Sequence, residues 1–201
     1  VLSGAEEAHY DYLGVMSTLN VDDAVILDTG GASVEIIAVA NGKSIADVSL
    51  PFGAVSLSER FNLANDINQS DIELACDSIL EQYEALPWLF KNKHKPVILL
   101  GGANRSLARM GRTALGIILV DNFHGFSMTI EQVATIFETI RYMTRLQREH
   151  IAGLEVTRAD IIISGLLPLL NLMYTINAPR VIFSESGVRE GLIAETIKNN
   201  G

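Results

Sequence analysis

The sequence predicts an α/β fold with a five-stranded mixed sheet flanked by helices. Three runs of aliphatic and β-branched residues follow one another early in the 201-residue chain, at Val25–Leu27, Val34–Ala40 and Lys43–Leu50. Asn41-Gly42 joins the last two runs and is typical of a hairpin turn, so it predicts an antiparallel meander. Two later apolar runs, 96–100 and 180–184, alternate with helical segments and predict two more strands.

Helices are predicted where apolar residues recur at helical spacing. The expected spans are about 5–19, 54–62, 70–86, 106 onward, 129–148, 158–176 and 188–198. Capping boxes, in which two side chains three residues apart satisfy each other's backbone donors, are predicted at Ser70–Glu73 and Thr129–Gln132. Pro168 predicts a kink or a break in its helix. The segment 111–128 is predicted to be a loop.

Composition limits the classes of protein. Hydrophobic residues are 48% of the chain, enough for a proper core, and the net charge of −9 without a basic stripe argues against nucleic acid as a partner. The longest apolar run, 161–176, is too short and too interrupted to span a membrane. Cys76 is the single cysteine, which excludes an internal disulfide and suits a reducing, cytoplasmic compartment. It falls in a helical apolar stripe and is read as core, and the four histidines have no zinc-ligand spacing.

The stretch from Asp28 to Glu35 is the first candidate site. A carboxylate at a strand end is followed by Gly30-Gly31, a small residue and the Ser33 hydroxyl. Such a turn exposes backbone N–H groups that can approach phosphate oxygens, while the carboxylate can hold a cation beside them. A glycine-rich hairpin turn without a ligand is the alternative interpretation, because such turns are common between strands.

A second glycine pair and a pair of glutamates are further candidates for the same site. Gly101-Gly102 lies between a predicted strand and a predicted helix, where backbone donors and a helix N-terminus can face an anion. Glu6 and Glu7 lie in the first turn of the first helix. One of these carboxylates is a candidate general base facing the glycine turn; the alternative is that both only interact favourably with the helix dipole.

The order of the elements resembles one half of a known superfamily. Three meandering strands, then alternating helices and two more strands, are similar to the ribonuclease H-like half of the actin, sugar kinase and Hsp70 proteins. In those proteins the first hairpin carries a phosphate loop, and a nucleotide or phosphate lies between two such halves.

Residue blocks spread over nearly the whole chain resemble the exopolyphosphatase/guanosine pentaphosphate phosphohydrolase (Ppx/GppA) family. The blocks are Ser3-Gly4 with Glu6-Glu7-Ala8 and Tyr12–Val15, Asp28-x-Gly30-Gly31-x-Ser33-x-Glu35, Pro51–Val55 with Ser58–Phe61, Gly101-Gly102-x-x-Arg105, Arg158-Ala159-Asp160, Gly165, and Ser184-x-x-Gly187-x-Arg189-Glu190-Gly191. They occur in the family's order. The first block resembles the family's segment between its two halves, and the second its second phosphate loop.

The resemblance implies a hydrolase of terminal phosphoanhydride bonds in inorganic polyphosphate or guanosine pentaphosphate. Glu7 would be the general base that orients the attacking water, with Glu6 as the alternative. Asp28 and Glu35 would hold Mg²⁺. The phosphate contacts would be Gly30, Gly31, Ser33, Gly101, Gly102, Arg105 and Arg189; for the two arginines a structural ion pair, such as Arg189 with Glu190 or Glu185, is the alternative.

The resemblance also implies a domain organisation. Residues 1–20 would be the linking helix between halves and 21–201 the phosphate-binding half, with the family's first half not in this chain. A homodimer is left open. Three positions depart from the family pattern: Ala32 replaces a glycine, Ala103 a threonine and His9 an arginine. If the turn needed a positive φ at Ala32, alanine would cost about 1 kcal/mol or more there.

Two other functions stay open at this point. A non-catalytic domain that senses a nucleotide or polyphosphate fits the same fold and gains support from Ala32, Ala103 and the acidic composition. A structural, actin-like assembly domain is the third alternative, although the sequence shows no filament motif.

Overall fold

The computed structural model describes residues 2–117 and 122–200. Its helices are α1 Gly4–Thr18, α2 Ala54–Arg60, α3 Gln69–Glu84, α4 Gly102–Ala114, α5 Ile130–Arg141, α6 Arg145–Arg148, α7 Ile162–Ile176 and α8 Val188–Asn200. Its strands are β1 Ala24–Thr29, β2 Val34–Ala40, β3 Lys43–Leu50, β4 Val97–Leu100, β5 Ser127–Thr129 and β6 Arg180–Phe183. The predicted loop 111–128 lies partly outside the described residues, and its two ends are wrong, because residues 111–114 belong to α4 and residues 127–128 to β5.

In this part of the chain the strands form one mixed sheet of six, in the order β3-β2-β1-β4-β6-β5. The meander β1–β2–β3 is antiparallel, and β4 and β6 continue the sheet parallel to β1. The predicted α/β class and meander are confirmed, but the predicted count of five strands is wrong. The sixth strand, β5, has three residues of which only Met128 is buried, so it forms by pairing with β6 rather than from a pattern of its own.

Helices cover both faces of the sheet. On one face, α1 packs along α8 and over side chains of the central strands, including Val15 of α1 against Ile26 and Ile37. On the other face, α2, α3, α4, α5 and α7 enclose the larger core. Alternate residues of β1 point to opposite faces, so Asp28, two residues after Ile26, points towards α1 and α8.

The ends of several helices differ from those predicted from local sequence patterns. The capping box predicted at Ser70 is wrong: α3 begins at Gln69, with Asn68 as its N-cap residue. The box at Thr129 is confirmed, but its helix ends at Arg141, and Thr144 opens α6 with a capping box of its own. α4 begins at Gly102, four residues earlier than expected.

The last long helix differs from its prediction in two ways. α7 begins at Ile162, because residues 156–158 form a separate 3₁₀ turn. It then runs unbroken past Pro168, so a break at that residue is wrong. Neighbouring groups support the helix there: the hydroxyl of the buried Tyr83 donates to the Pro168 carbonyl at 2.9 Å, and nearly every α7 side chain is buried.

Candidate functional site

The candidate site forms where β1 and β4 end. These strands are parallel neighbours, with Asp28 opposite Leu100, so the two glycine turns that follow them lie side by side. Asp28 also pairs in register with Glu35 on the antiparallel strand β2. The sheet therefore brings two carboxylates and two glycine turns to one edge.

The first turn, residues 30–33, is held by α2 and leaves three of its four backbone donors free in the described chain, because only the Gly30 N–H is used, donating to the Ser33 carbonyl at 3.0 Å. The Gly30 and Gly31 carbonyls accept hydrogen bonds of 2.9 Å from the N–H groups of Ala54 and Val55 at the start of α2. The backbone N–H groups of Gly31, Ala32 and Ser33 make no hydrogen bond within the described residues. Consecutive free N–H groups in a turn can bind an anion.

Ala32 causes no backbone strain in this turn. The non-glycine residues with positive φ are Asn41, Asn62, His94 and Asn177 in the described chain, so the turn does not need a glycine at Ala32. The free-energy cost that alanine would have at a position with positive φ therefore does not apply to Ala32.

Gly101 in the second turn is required by its conformation and by close contacts. It is the N-cap residue of α4, with φ +91°. A Cβ at this position would lie 2.4 Å from the Thr29 carbonyl oxygen and 2.6 Å from Asp28 Oδ1. Any side chain would therefore displace the end of β1 and the Asp28 carboxylate, which explains why this turn can approach the first so closely.

Both carboxylates at the strand ends have raised pKa values. Burial, followed by the charge of Glu35, raises the pKa of Asp28 to about 6, against a smaller lowering by Arg105. Burial also raises the pKa of Glu35, which accepts a 2.7 Å hydrogen bond from the Ser49 hydroxyl. Asp28 Oδ1 is buried and has no donor among the described residues. A cation between the two groups would relieve both penalties.

Glu6 and Glu7 have different environments. Glu6 Oε2 accepts from the Ser3 backbone N–H at 2.7 Å and from its hydroxyl at 2.8 Å, closing a capping box, and the backbone bond lowers the pKa of Glu6. Glu7 is half-buried and makes no side-chain hydrogen bond or ion pair in the described part of the chain. Its charge raises the pKa values of Asp28 and Glu35, so it lies within electrostatic reach of both. The geometry thus favours Glu7 over Glu6 as the candidate base.

Asp11 belongs to this site although the sequence did not single it out. It lies one helical turn after Glu7 and is 1% exposed. Burial, followed by the charges of Asp28 and Glu35, raises the pKa of Asp11 to about 9. The sequence does contain a signal for Asp11, which interrupts the apolar stripe of α1 between Ala8 and Val15. A carboxylate is unfavourable at such a buried position unless it has a partner or a function.

Both candidate arginines face a cavity of about 310 Å³ between the starts of α4 and α8. Asp11, Asp28, Gly101, Arg105 and Arg189 are among the residues that line it. The predicted alternative of an ion pair for Arg189 is not found in the described residues: Glu190 accepts from the Gly187 N–H and Glu185 from the Phe123 N–H instead. Both guanidinium groups are therefore exposed towards a site for an anion.

Arg158 is a second residue that sequence reasoning left without a role. Its guanidinium lies against the start of α4, where a Cβ on Gly102 would be 2.1 Å from Nη1. Glu155 holds it through a 2.9 Å bond to Nε. Ala103 beside it is buried against Gly165, which accounts for a small residue there. The signal for Arg158 was its place in a family block, but only the fold brings it to Gly102.

A larger hollow of about 480 Å³ lies beside α2. It is lined by the acidic residues Glu59, Asp66 and Asp160 and by none of the predicted site residues. The 310 Å³ cavity is also lined by carboxylates, but it has Arg105 and Arg189 to offset them, whereas no described arginine or lysine lines the larger hollow. The larger hollow is therefore unsuited to a phosphate, and size does not identify the candidate site here.

The carboxylates fit Mg²⁺ as ligands. Mg²⁺ is commonly held by one or two carboxylates together with substrate phosphates and water. Asp28 and Glu35 supply two such groups on paired strands, and the unpartnered Asp28 Oδ1 is a ligand atom without another partner. Across residues 2–117 and 122–200 no group of three or more His, Cys, Asp or Glu is arranged to hold a metal, so water or phosphate oxygens would complete the coordination by these two carboxylates.

Comparisons with known proteins agree with this architecture. A family model described as the Ppx/GppA phosphatase family matches residues 1–200. A Ppx/GppA family member from Aquifex aeolicus is 25% identical over all of this chain, with a TM-score of 0.84, and the chain covers 65% of its length. The type II variant of the Aquifex aeolicus Ppx/GppA phosphatase is also 25% identical, with 94% of this chain and 62% of that chain covered and a TM-score of 0.80. An exopolyphosphatase from Cytophaga hutchinsonii shares the fold, with a TM-score of 0.89 at 20% identity over 99% of this chain and 65% of its own.

The fold places the protein among the ribonuclease H-like domains of the actin superfamily. Within that class the chain belongs to the Ppx/GppA phosphatase family. It spans a little less than two thirds of the length of the solved relatives named above. Among the described residues, no helix is both long and apolar enough to cross a membrane.

Proposed function

We propose that this chain carries one wall of a phosphoanhydride hydrolase site, acting on inorganic polyphosphate or on guanosine pentaphosphate. The observation that carries the proposal is the grouping at the end of β1. There the half-buried Asp28 pairs with the buried Glu35 next to three free N–H groups of the turn 30–33, with Glu7 in electrostatic reach. Phosphoryl transfer needs mainly positioning, charge neutralisation and an oriented water. The N–H groups would position the substrate, a cation held by Asp28 and Glu35 would neutralise charge, and Glu7 would orient the water.

In the proposed reaction Glu7 accepts a proton from the attacking water. The water oxygen forms a bond to the terminal phosphorus while the bond from that phosphorus to the bridging oxygen breaks. The shortened substrate leaves with the negative charge on that oxygen. Glu7 suits the base role because its carboxylate is not engaged by another side chain, whereas Glu6 is held by Ser3.

The phosphate oxygens are held by donors from both turns. The free N–H groups of Gly31, Ala32 and Ser33 would contact the reacting end of the substrate, and Gly30 shapes the turn that presents them. Gly101 and Gly102, with Arg105 and Arg189 at the neighbouring cavity, would contact phosphates further along. Mg²⁺ bound by Asp28 and Glu35 would neutralise charge on the phosphoryl oxygens.

The family and its solved members support hydrolase chemistry for the whole protein. The family is named for phosphatases, and one structural neighbour is an exopolyphosphatase. Because the chain covers about 65% of such proteins, we propose that a preceding half supplies the opposite wall. A cytoplasmic location stays a prediction from the sequence, which leaves the oligomeric state open.

The experiment is phosphate release from polyphosphate and from guanosine pentaphosphate with Mg²⁺, by this chain alone and by the full-length protein. We expect turnover by the full-length protein and much weaker turnover by the chain alone. Equal rates would contradict the half-site. No release by the full-length protein from either substrate would contradict the hydrolase.

A sensing domain remains the second candidate, favoured by the small side chains of Ala32 and Ala103 in the two turns. It predicts substrate binding by the full-length protein without Mg²⁺-dependent release. Titration calorimetry alongside the release assay separates the two functions, because a hydrolase consumes the ligand that a sensor keeps.

A further inference from the structure

The turn between β6 and α8, residues 184–187, forms one wall of the 310 Å³ cavity and leads directly into Arg189 in the first turn of α8. Three of its four backbone N–H groups have acceptors on β4, in the turn itself and on α8: the Leu99 carbonyl at 3.0 Å, the Ser184 hydroxyl at 3.1 Å and the Glu190 carboxylate at 2.9 Å. The fourth, the N–H of Glu185, donates to the ring of His124. The turn therefore places Arg189 at the cavity and does not offer its own N–H groups to a phosphate.

His124 lies shortly before β5 and connects two elements of the site. Its Nδ1 accepts the hydrogen bond from the Glu185 N–H at 3.2 Å, and its Nε2 lies 3.4 Å from the Thr18 carbonyl oxygen at the end of α1. A backbone N–H can only donate, and a carbonyl oxygen can only accept. The ring is therefore neutral in this arrangement, with its proton on Nε2.

A second hydrogen bond joins the same two segments. The Glu185 carboxylate accepts from the Phe123 N–H at 3.1 Å, so residues 123–124 and Glu185 are tied by one bond in each direction. The segment that carries His124 is itself fixed to β6, because the Gly125 N–H donates to the Phe183 carbonyl at 2.8 Å. The neutral ring thus holds the turn 184–187 against a rigid part of the sheet.

The charged groups that meet this segment come from two sides. Glu185 faces it from the turn, and two arginines face it from α4. The Arg112 guanidinium donates to the Asn122 carbonyl at 2.6 Å, and that of Arg109 lies 6.0 Å from the centre of the Phe123 ring. The end of α1 meets the His124 ring with the uncharged Thr18 carbonyl.

We propose that His124 is a positioning residue for phosphate binding, whose neutral ring fixes the turn 184–187 and thereby the placement of Arg189 at the cavity. This inference rests on the proposed function, because it assumes that the cavity binds phosphate groups. A proton on Nδ1 would place two N–H groups opposite each other, and the Glu185 N–H would lose its acceptor. Protonation of His124 should therefore weaken anion binding, in the pH range in which histidine side chains ordinarily change charge.

The test measures sulfate binding to this chain at pH 8 and pH 5, from the shifts of amide signals of residues 184–189 in nuclear magnetic resonance spectra. Sulfate is a tetrahedral dianion at both pH values, so its own charge does not change. Burial raises the pKa values of Asp11 and Asp28, which also line the cavity and change charge with pH, so each variant is compared with wild type at the same pH.

The variants are His124→Asn and His124→Ala. The asparagine carbonyl oxygen can replace Nδ1 as the acceptor for Glu185 and takes up no proton, whereas alanine removes the acceptor. At pH 8 we expect the alanine variant to bind sulfate about threefold more weakly than wild type, within the range of one neutral hydrogen bond, and the asparagine variant to bind as wild type does. At pH 5 wild type should bind about threefold more weakly than the asparagine variant.

The matched control is His9→Asn. His9 also contacts α8, with its Nε2 3.4 Å from a Glu195 carboxylate oxygen, but neither residue lines the cavity. This variant should keep the pH dependence of wild type. A readout that needs no sulfate is the nitrogen-15 spectrum of the His124 ring, which should show the proton on Nε2 at pH 8.

Three results would overturn the role of His124: equal affinities of wild type and His124→Ala at pH 8, the same ratio of wild-type to His124→Asn affinity at both pH values, or a ring protonated on Nδ1 at pH 8. Should the alanine variant not fold, His124→Ser is measured instead. Arg189→Gln tests the anion site separately. If it binds sulfate as wild type does, the cavity is not a phosphate site and the role of His124 falls with it; if it alone loses affinity, the site stands and only the role of His124 is wrong.

Discussion

The pKa of Asp28 makes cation binding depend on pH in a way that thermal unfolding can measure. The perturbation is Mg²⁺ added at pH 8 and at pH 5. With a pKa of about 6, the Asp28 carboxyl is almost fully ionised at pH 8 and about one tenth ionised at pH 5. Because the proton and the cation compete for this group, Mg²⁺ should bind about ten times more weakly at pH 5.

The size of the effect follows from linkage. For a dissociation constant of roughly 1 mM at pH 8, 10 mM Mg²⁺ stabilises the folded chain by about 1.4 kcal/mol, and a tenfold weaker constant at pH 5 leaves about 0.4 kcal/mol. In a domain of this size 1 kcal/mol shifts the unfolding temperature by roughly 2–4 °C. We therefore expect a Mg²⁺-induced rise of roughly 3–6 °C at pH 8 and about 1 °C at pH 5.

Without Mg²⁺ the stability of the folded chain should fall as pH rises, whereas the stabilisation by Mg²⁺ increases with pH. The folded pKa of Asp28 lies above its ordinary value of 3.8, so the folded state binds more protons than the unfolded state between these values. Stability is then highest below pH 4 as far as this group is concerned and is lost as pH rises through about 6. Asp11, whose pKa is raised to about 9, extends the loss to higher pH. Mg²⁺ should offset part of this decline.

Differential scanning fluorimetry of this chain measures both effects, with NaCl of equal ionic strength as the control for screening. Asp28→Asn is the matched variant: it should lose the Mg²⁺-induced rise and flatten the pH dependence. A rise of equal size in wild type and Asp28→Asn would refute the assignment of the cation to Asp28. Equal rises at pH 5 and pH 8 would refute the competition with the proton.

The remaining predictions concern the base and two glycines. In the full-length protein, Glu7→Gln should lower kcat for phosphate release by about 10²- to 10⁴-fold while the substrate still binds. Glu6→Gln should change kcat little, because glutamine can keep the hydrogen bonds to Ser3. Equal losses of kcat in the two variants would contradict the assignment of the base to Glu7. Gly101→Ala combines a positive φ with two close contacts and should cost roughly 2–5 kcal/mol in urea unfolding, and a loss below about 1 kcal/mol would contradict the packing derived for Gly101. Gly14→Ala would place a Cβ 2.2 Å from the Gly187 carbonyl oxygen, so it should separate α1 from α8 and lower the unfolding temperature by several degrees, while Ser17→Ala on the same helix should not.

Periodicity predicted most of the fold because the elements that carry the core have strong patterns. The bounds of β2 and β3 were predicted to the residue, since alternating strands around Asn41-Gly42 fix their own turn. Prediction of secondary structure failed where contacts distant in the chain determine whether a segment forms a helix, a strand or a loop. Pro168 did not break α7, and β5 exists only as the partner of β6.

The sequence predicted which residues belong to the candidate site, but it did not predict how they are arranged. Asp28, Glu35 and the turn 30–33 are contiguous, so one motif indicates their grouping. The Glu6–Glu7 pair looked equivalent in the sequence, and only the hydrogen bonds to Ser3 distinguish them. The contact of Arg158 with Gly102 joins residues that are distant in the chain and has no local signature.

The sequence by itself determined the α/β class, the meander and the family to which the chain belongs, because these depend on periodicity and on residues close together in the chain. Only the tertiary structure decided that Asp11 lines the same cavity as Asp28, and that Arg105 and Arg189 share it. The physical reason is that burial and mutual charge set the properties of these groups. Both depend on how α1, α4 and α8 pack around the end of β1, which no local pattern specifies.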